Sequence, residues 1–213
     1  MSFQSARMRM IREQLIPRGI TDQRVLDAMA DVPRHLFVQD ALGSQAYGDF
    51  SMPIGLGQTI SQPYIVALMT QALELKGDET VLEIGTGCGY QTAVLAKLAD
   101  RIFSVERLKE LYIRARQTLD QLQVFNALCT TDDGTLGWPQ YSPFDAIIVT
   151  AGGPDIPQPL IDQLADPGRL VIPIGDREAQ ELVILKKENG EISRQIIEQV
   201  RFVSLIGKNA WHN

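Results

Sequence analysis

Apolar positions recur along this chain with two different periods, and the change between them divides it. Residues 5–16 place Met8, Ile11, Leu15 and Ile16 at helical spacing, and Pro17-Arg18-Gly19 stops the run. Thr21 is the expected N-cap of a second helix carrying Val25, Leu26 and Met29, which ends before Pro33. Residues 40–58 hold Gly43, Tyr47, Gly48, Gly55 and Gly57 without any period, so a long loop or an irregular hairpin is expected there. From residue 60 the order becomes regular. A helix over 62–75 precedes a strand at 80–84, a glycine turn, a helix at 90–99, a strand at 101–106 and a helix at 107–122. Strands near 124–129, 144–149 and 169–174 follow, with a helix at 157–164 between the last two. The tail predicts strands at 181–187, 192–199 and 201–206, the first two joined at Asn189-Gly190. Strand and helix alternating for more than 100 residues require a parallel sheet covered on both faces. The expected architecture is therefore α/β and doubly wound, with a mostly parallel sheet, an N-terminal helical cap and antiparallel strands at the C-terminal edge.

Composition narrows the function classes. The chain has 213 residues, 45% hydrophobic and 22% charged, which is ordinary globular usage and sets aside disordered, collagen-like and coiled-coil readings. Its net charge of −6 lacks the field that draws proteins onto a phosphate backbone, so no nucleic-acid partner is expected. Apolar runs such as 146–149 and 182–185 are far too short to span a bilayer. Arg7, Arg9, Arg12 and Glu13 interrupt any signal-peptide core, and a soluble cytoplasmic protein is expected. Cys88 and Cys129 form no CxxC, which suits a reducing compartment. His35 and His212 lie far apart, and neither has a Cys or His at ligand spacing, so no metal site is expected.

The sharpest local signal is VLEIGTGCGY at 81–90, a buried strand running into G-x-G-x-G and then a helix. Ligands of such folds lie beyond the strand's carboxyl end, and glycine lets the backbone turn and approach them closely. The dinucleotide fingerprint would place a third Gly at 90, where Tyr90 stands. Glu83, two places before Gly85, and the spacing of Gly85, Gly87 and Gly89 resemble S-adenosylmethionine-dependent methyltransferases instead. Thr86 and Cys88 lie within the same turn, and Cys88 has no candidate base, which favours a space-filling role. Glu106 ends the next strand, followed by Arg107; a carboxylate there can accept both ribose hydroxyls or satisfy the first turn of the following helix. Asp132-Asp133-Gly134 marks a third strand tip, where Asp133 can accept from an adenine amine or form an Asx-turn. Three such features at successive tips imply an adenosyl ligand.

A second segment, GQTISQP at 57–63, precedes an amphipathic helix carrying Ile65, Leu68, Met69, Ala72 and Leu73. Thr59 and Gln62 have capping-box spacing, and Ser61 before Pro63 is an alternative helix start. Either arrangement puts hydroxyls and free amides at a helix mouth, which attracts carboxylate.

These two segments, with Asp133-Gly134, Gly137-Trp138, Pro143-Phe144-Asp145, Thr150-Ala151, Ile156-Pro157, residues 200–203 and Leu205, resemble the protein-L-isoaspartate O-methyltransferase family over nearly the whole chain. The resemblance implies S-adenosyl-L-methionine as cofactor and the free α-carboxylate of L-isoaspartyl residues in damaged proteins and peptides as methyl acceptor, initiating repair. It makes Ser61, with Thr59, the catalytic positions, and it places Ile60 and Ser61 against both cofactor and substrate. Glu83, Gly85, Thr86, Gly87, Cys88, Glu106, Arg107, Asp132, Asp133 and Gly134 take cofactor positions, while Val200, Phe202 and Val203 align the peptide. One methyltransferase domain over 1–213 is expected, with cap and substrate-side loop at 1–60, cofactor-binding core at 61–175 and C-terminal strands at 176–213. Three residues depart from the family's pattern: Cys88 where Ser is common, Asp132 where Gly is common, and Ser204 where Pro is common. A carboxylate acceptor is already ionised at neutral pH, which agrees with the lack of any His/Asp or Cys/His constellation. Two other classes stay open on sequence: a methyltransferase of a small molecule or nucleic acid, and a non-catalytic adenosyl-binding module.

Overall fold

The structure is a computed structural model that describes residues 2–212. Its N-terminal part is helical. Helix α1 (Phe3–Met10) is capped by Ser2, whose hydroxyl accepts from the Ser5 amide at 3.2 Å. The chain continues through a wider turn over Ile11–Leu15 and stops at Gly19, which takes the left-handed φ of +88°. Helix α2 (Gln23–Asp31) is capped by Asp22, one residue beyond the expected Thr21. Its carboxylate accepts from the amides of Arg24 and Val25 at 2.9 and 3.4 Å. Val25, Leu26 and Met29 are buried, as their spacing requires. Of the two options for residues 40–58, the irregular hairpin forms: β1 (Met52–Gly55) pairs antiparallel with β2 (Gln58–Ile60). That pairing explains a second difference. Thr59 is held in β2 opposite Pro53, so the Thr59–Gln62 capping box does not form. Helix α3 (Pro63–Ala72) starts on its proline without a side-chain cap.

Five strands run parallel in the spatial order β5-β4-β3-β6-β7: β3 (Thr80–Ile84), β4 (Arg101–Glu106), β5 (Ala127–Thr131), β6 (Phe144–Val149) and β7 (Leu164–Gly175). The long ribbon β8 (Gln180–Glu188) and β9 (Glu191–Val200) adds antiparallel to β7, turning at Asn189-Gly190. Helices α4 (Tyr90–Leu95), α5 (Lys109–Gln121) and α6 (Gln158–Asp162) lie between strands. Alternate strand residues feed opposite faces. Val81, Ile102 and Ile148 join the core shared with the N-terminal helices, and Leu82, Phe103 and Ile147 join a second core on the other face. Burial on both faces is why these strands read as continuous apolar runs.

The expected strand at 201–206 is absent. After Val200 the chain leaves β9 and lies along the turn that follows β6, where the Gly152 amide donates to Val203 and the Leu205 amide donates to Gly152, both at 2.8 Å. This strap crosses the carboxyl ends of the strands. There β3 has β4 on one side and β6 on the other, and the crossover direction reverses, opening the crevice where ligands of doubly wound sheets bind. Leu82 is fully buried on the central strand. Leu82→Ala should therefore cost about 2–5 kcal/mol, the range for a large-to-small core change, read as a lower midpoint in urea at unchanged slope.

Candidate active site

The site begins where β3 ends. Gly85 takes φ +96°, and its amide donates to the Val105 carbonyl at 2.8 Å. A Cβ there would strike the Thr150 hydroxyl, so the position needs glycine for both conformation and space. Thr150 follows β6, and its hydroxyl bonds to the carbonyls of Ile84 and Gly85 at 3.0 and 2.7 Å. One side chain thus ties together two strand ends that are diverging.

Glu83 lies beneath this turn. It is fully buried and does not line the cleft, which corrects the expectation that it meets the cofactor. Its Oε2 accepts from the Thr92 and Ser104 hydroxyls at 2.5 and 2.6 Å, and Ser104 in turn bonds to the Thr86 hydroxyl at 2.6 Å. Oε1 has no partner among the described residues. Burial pushes the Glu83 carboxyl up to about 7, and the Ser104 and Thr92 hydroxyls offset that only in part. Its contact with the cleft is indirect, through Ser104 and Thr86.

Glu106 takes the helix-start role weighed for it and also holds the glycine turn. Oε1 accepts from the Leu108 amide, satisfying the approach to α5, and Oε2 accepts from the Gly87 amide, both at 2.8 Å. It also forms cleft wall. A carboxylate oxygen has two lone-pair sites, so acceptor capacity remains for ligand hydroxyls.

The cleft measures about 930 Å³ with its open mouth included. Gly85, Thr86, Gly87 and Cys88 line it from the turn, Glu106 and Arg107 from the end of β4, and Gly134 from the end of β5. Thr59, Ile60 and Ser61 close the opposite side, and Phe202 with Val203 contributes the strap. Burial raises the Cys88 thiol to about 11, so it stays neutral and unreactive at physiological pH. Asp132 and Asp133 do not line the cleft, against expectation. The Asx-turn alternative is what forms: Asp133 Oδ1 accepts from the Thr135 amide and hydroxyl at 2.9 and 2.7 Å. Oδ2 accepts from the Lys208 amide at 2.7 Å, anchoring the chain beyond the strap. Burial works against the Asp133 charge, yet those amides and the Thr135 hydroxyl outweigh it and hold the carboxyl below its usual range. Asp132 is exposed and accepts from the Asp133 amide at 2.7 Å.

A second groove of about 890 Å³ runs across the other side of the strap, lined in part by Arg18, Gln62, Glu198, Val200 and Arg201. Thr59, Ser61, Thr150, Phe202 and Val203 belong to both cavities. Tyr64 links the groove's charged walls: the Arg18 guanidinium lies 3.4 Å from its ring centroid, and its hydroxyl donates to Glu198 at 3.3 Å. Arg18 also pairs with Asp49 at 2.7 Å. His35 stands apart from both cavities, stacked on Phe3 at 3.8 Å and bonded to the Tyr47 hydroxyl at 2.8 Å.

Sequence reasoning noted Thr150 only in the Thr150-Ala151 match and gave it no site role, although its place just after a predicted strand, level with the other tips, was a usable signal. It missed Arg34. That side chain is fully buried, its Nε donates to the Ala46 carbonyl at 2.8 Å, and its Nη2 donates to the Ser61 carbonyl at 2.7 Å. A lone arginine after Pro33 gave no pattern to act on.

An adenosyl group fits what these residues offer. Glycines approach it at Gly85, Gly87 and Gly134, Glu106 supplies an acceptor at the strand tip, and Val105, Leu108 and Leu111 give apolar surface for a base. Fold and cleft together define a Rossmann-like, S-adenosylmethionine-dependent methyltransferase. The model of the protein-L-isoaspartate(D-aspartate) O-methyltransferase family matches residues 6–210, and the chain belongs to that family. Over 210 residues it is 60% identical to protein-L-isoaspartate O-methyltransferase 1 of Syntrophobacter fumaroxidans, covering 99% of this chain and 98% of that one. The Geobacter metallireducens protein-L-isoaspartate O-methyltransferase is 55% identical over 212 residues, covering 99% of this chain and 98% of that one. Among solved structures, a protein-L-isoaspartate O-methyltransferase superposes with a TM-score of 0.86 at 28% identity, covering 96% of this chain and 67% of the other. A putative protein-L-isoaspartate O-methyltransferase from Plasmodium falciparum, in complex with S-adenosyl-L-homocysteine, gives 0.82 at 27% identity, covering 97% and 99%.

Two measurements probe the acidic pair. Glu106→Ala should weaken S-adenosylhomocysteine binding by about 1.5–3 kcal/mol, the scale of hydrogen bonds to a charged group, as calorimetry would read; unchanged affinity would move the ribose end elsewhere. For Glu83 the folded carboxyl holds its proton more tightly than the unfolded one. Its contribution is therefore fully present below the ordinary glutamate value and is lost as pH rises through about 7. Urea titrations across pH 4.5–7.5 should show this slope, at most about 1.4 kcal/mol per pH unit, and Glu83→Gln should remove it.

Proposed function

We propose that the cleft and the groove are the donor and acceptor sites for methyl transfer from S-adenosyl-L-methionine to the free α-carboxylate of L-isoaspartyl residues in damaged proteins and peptides, the step that initiates their repair. The observation that carries this reading is their common wall. Thr59, Ser61, Thr150, Phe202 and Val203 face both cavities, so an acceptor in the groove and a donor in the cleft meet at one place. The cofactor, when bound, supplies an electrophilic methyl group on a sulfonium sulfur.

Every other requirement falls on the chain itself. The turn from Gly85 to Gly87 and the Glu106 carboxylate hold the adenosyl part, with Thr86, Cys88, Arg107 and Gly134 completing the walls. The Ser61 hydroxyl donates to the acceptor carboxylate and, with Thr59 and Ile60, fixes its direction. It caps no helix, and the first-turn amides of α3 lack a side-chain acceptor, so both remain disposed toward an anion. The strap around Phe202 and Val203 keeps water from the junction. No general base is required, because the acceptor oxygen is already anionic.

The strap segment along the groove favours a peptide over a small molecule. Val200, Phe202 and Val203 leave the end of an edge strand in extended chain, which suits backbone recognition with varied side chains. Two unpaired thiols, Cys88 and Cys129, suit a cytoplasmic setting.

The test is methyl transfer from labelled cofactor to an isoaspartyl peptide beside its aspartyl twin. Transfer to the isoaspartyl form alone, across several flanking sequences, is expected; labelling of both peptides or of neither would defeat the reading. In the same assay Ser61→Ala should be slowed by roughly ten- to 150-fold, one hydrogen bond to a charged group, with cofactor affinity little changed. Mass spectrometry should find no methylated Ser61 during turnover, since a covalent serine needs an adjacent base that the site lacks.

A further inference from the structure

Among the described residues Arg34 is the largest side chain with no exposed surface, and it carries a full charge into the interior. Burial lowers its pKa, yet a guanidinium stays protonated in any protein environment. No carboxylate among the described residues pairs with it: the ion pairs lie elsewhere. Its neighbours are the Tyr90 ring, 4.8 Å from the guanidinium carbon, and two carbonyls, Ala46 and Ser61. Nη1 has no hydrogen-bond partner among the described residues. An uncompensated buried cation is costly to keep, and a hydrophobic side chain of similar volume would pack there at less cost.

Its location supplies a reason. The two carbonyls it clasps belong to the loop before β1 and to the residue that walls both cavities. Tyr90, on its other side, lines the cofactor cleft, as does Cys88 nearby. A guanidinium held at Nε by the Ala46 carbonyl and donating from Nη2 to the Ser61 carbonyl restrains the peptide plane that follows Ser61, and with it the backbone from which the Ser61 side chain projects. We propose that Arg34 is a positioning residue of the acceptor site: through the Ser61 carbonyl it sets the Ser61 hydroxyl, and its unneutralised charge makes the junction attractive to a carboxylate. The proposal rests on the methyl-acceptor reading above. It predicts a larger effect on the anionic substrate than on the cofactor, because Arg34 bonds directly to the Ser61 carbonyl but reaches the cofactor cleft only by packing on the Tyr90 ring.

The experiment compares Arg34→Lys and Arg34→Met with the unaltered protein, measuring KM and kcat for an isoaspartyl peptide and, by calorimetry, the Kd of S-adenosylhomocysteine. Lysine keeps the charge but loses the two-carbonyl fork; methionine loses both. The peptide KM should rise by roughly tenfold or more in Arg34→Met, the scale of a lost hydrogen bond from a charged group, and by a smaller factor in Arg34→Lys. The Kd should rise by a much smaller factor than the KM in both, since the Tyr90 ring is the contact that links Arg34 to the cofactor cleft. If Arg34→Met does not fold, Arg34→Lys decides alone, a selective KM rise supporting the proposal. An unchanged KM, a Kd rising in step with KM, or equal effects of the two variants would overturn it. Failure of the unaltered protein to methylate the peptide would strike the functional reading instead, so the two failures are separable.

Discussion

Everything at the functional end of this protein depends on how β3 is released by its two neighbours. Within the sheet β3 is paired on both sides, with β4 and with β6. At Gly85 those partners separate, and the backbone must keep its hydrogen bonds while turning away from both. It does so through the Gly85 amide to Val105 on one side and through the Thr150 amide and hydroxyl to Ile84 and Gly85 on the other. Only a residue without Cβ fits between them. The crevice is thus a consequence of satisfying backbone donors and acceptors where a parallel sheet divides, and cleft, strap and groove are arranged around it.

Two buried charges of opposite sign flank that junction, and they differ in how they are satisfied. Glu83 has hydroxyls on one oxygen and nothing on the other, so burial brings its ionisation close to neutrality. Arg34 cannot adjust in that way and remains charged. Other charges border the same junction: Glu106 and Arg107 line the cleft, and Arg18, Arg201 and Glu198 line the groove.

The glycine turn, the alternation of strand and helix and the burial of Val25, Leu26 and Met29 were legible because each follows from local geometry or a short period. Departures occurred where a long-range partner decided the outcome. Thr59 has the right spacing for a capping box, yet pairing with Pro53 removes it from the helix end. Residues 201–206 have strand character, but beyond β9 no sheet partner exists for them, and Gly152 captures the segment instead. Asp133 was read as facing a ligand, while its two oxygens serve Thr135 and the Lys208 amide, 75 residues later in sequence. Glu83 stands in the expected motif, but strand alternation turns its side chain toward Thr92 and Ser104 rather than into the cleft. Arg34 had no visible role because its partners are carbonyl oxygens, and every residue type supplies those.

The reactive inventory of the junction fits a reaction limited by placement. A methyl transfer that needed an activated nucleophile would require a base at hydrogen-bond distance from Ser61 or a thiolate at Cys88. His35 is committed to Tyr47 and Phe3, and the Cys88 thiol is held neutral by burial. What the structure supplies in quantity is restraint. Thr150 fixes the strand tips, Glu106 fixes Gly87, Asp133 fixes the chain beyond the strap, and Arg34 fixes Ser61. Of these, Thr150 and Ser61 belong to the wall shared by the two cavities, and Gly87 to the cleft. For a donor that already carries a leaving group and an acceptor that already carries its charge, holding three atoms in line and excluding water is the greater part of what remains to be done. A site made of short hydrogen bonds to backbone, with few free ionisable groups, is the form that task takes.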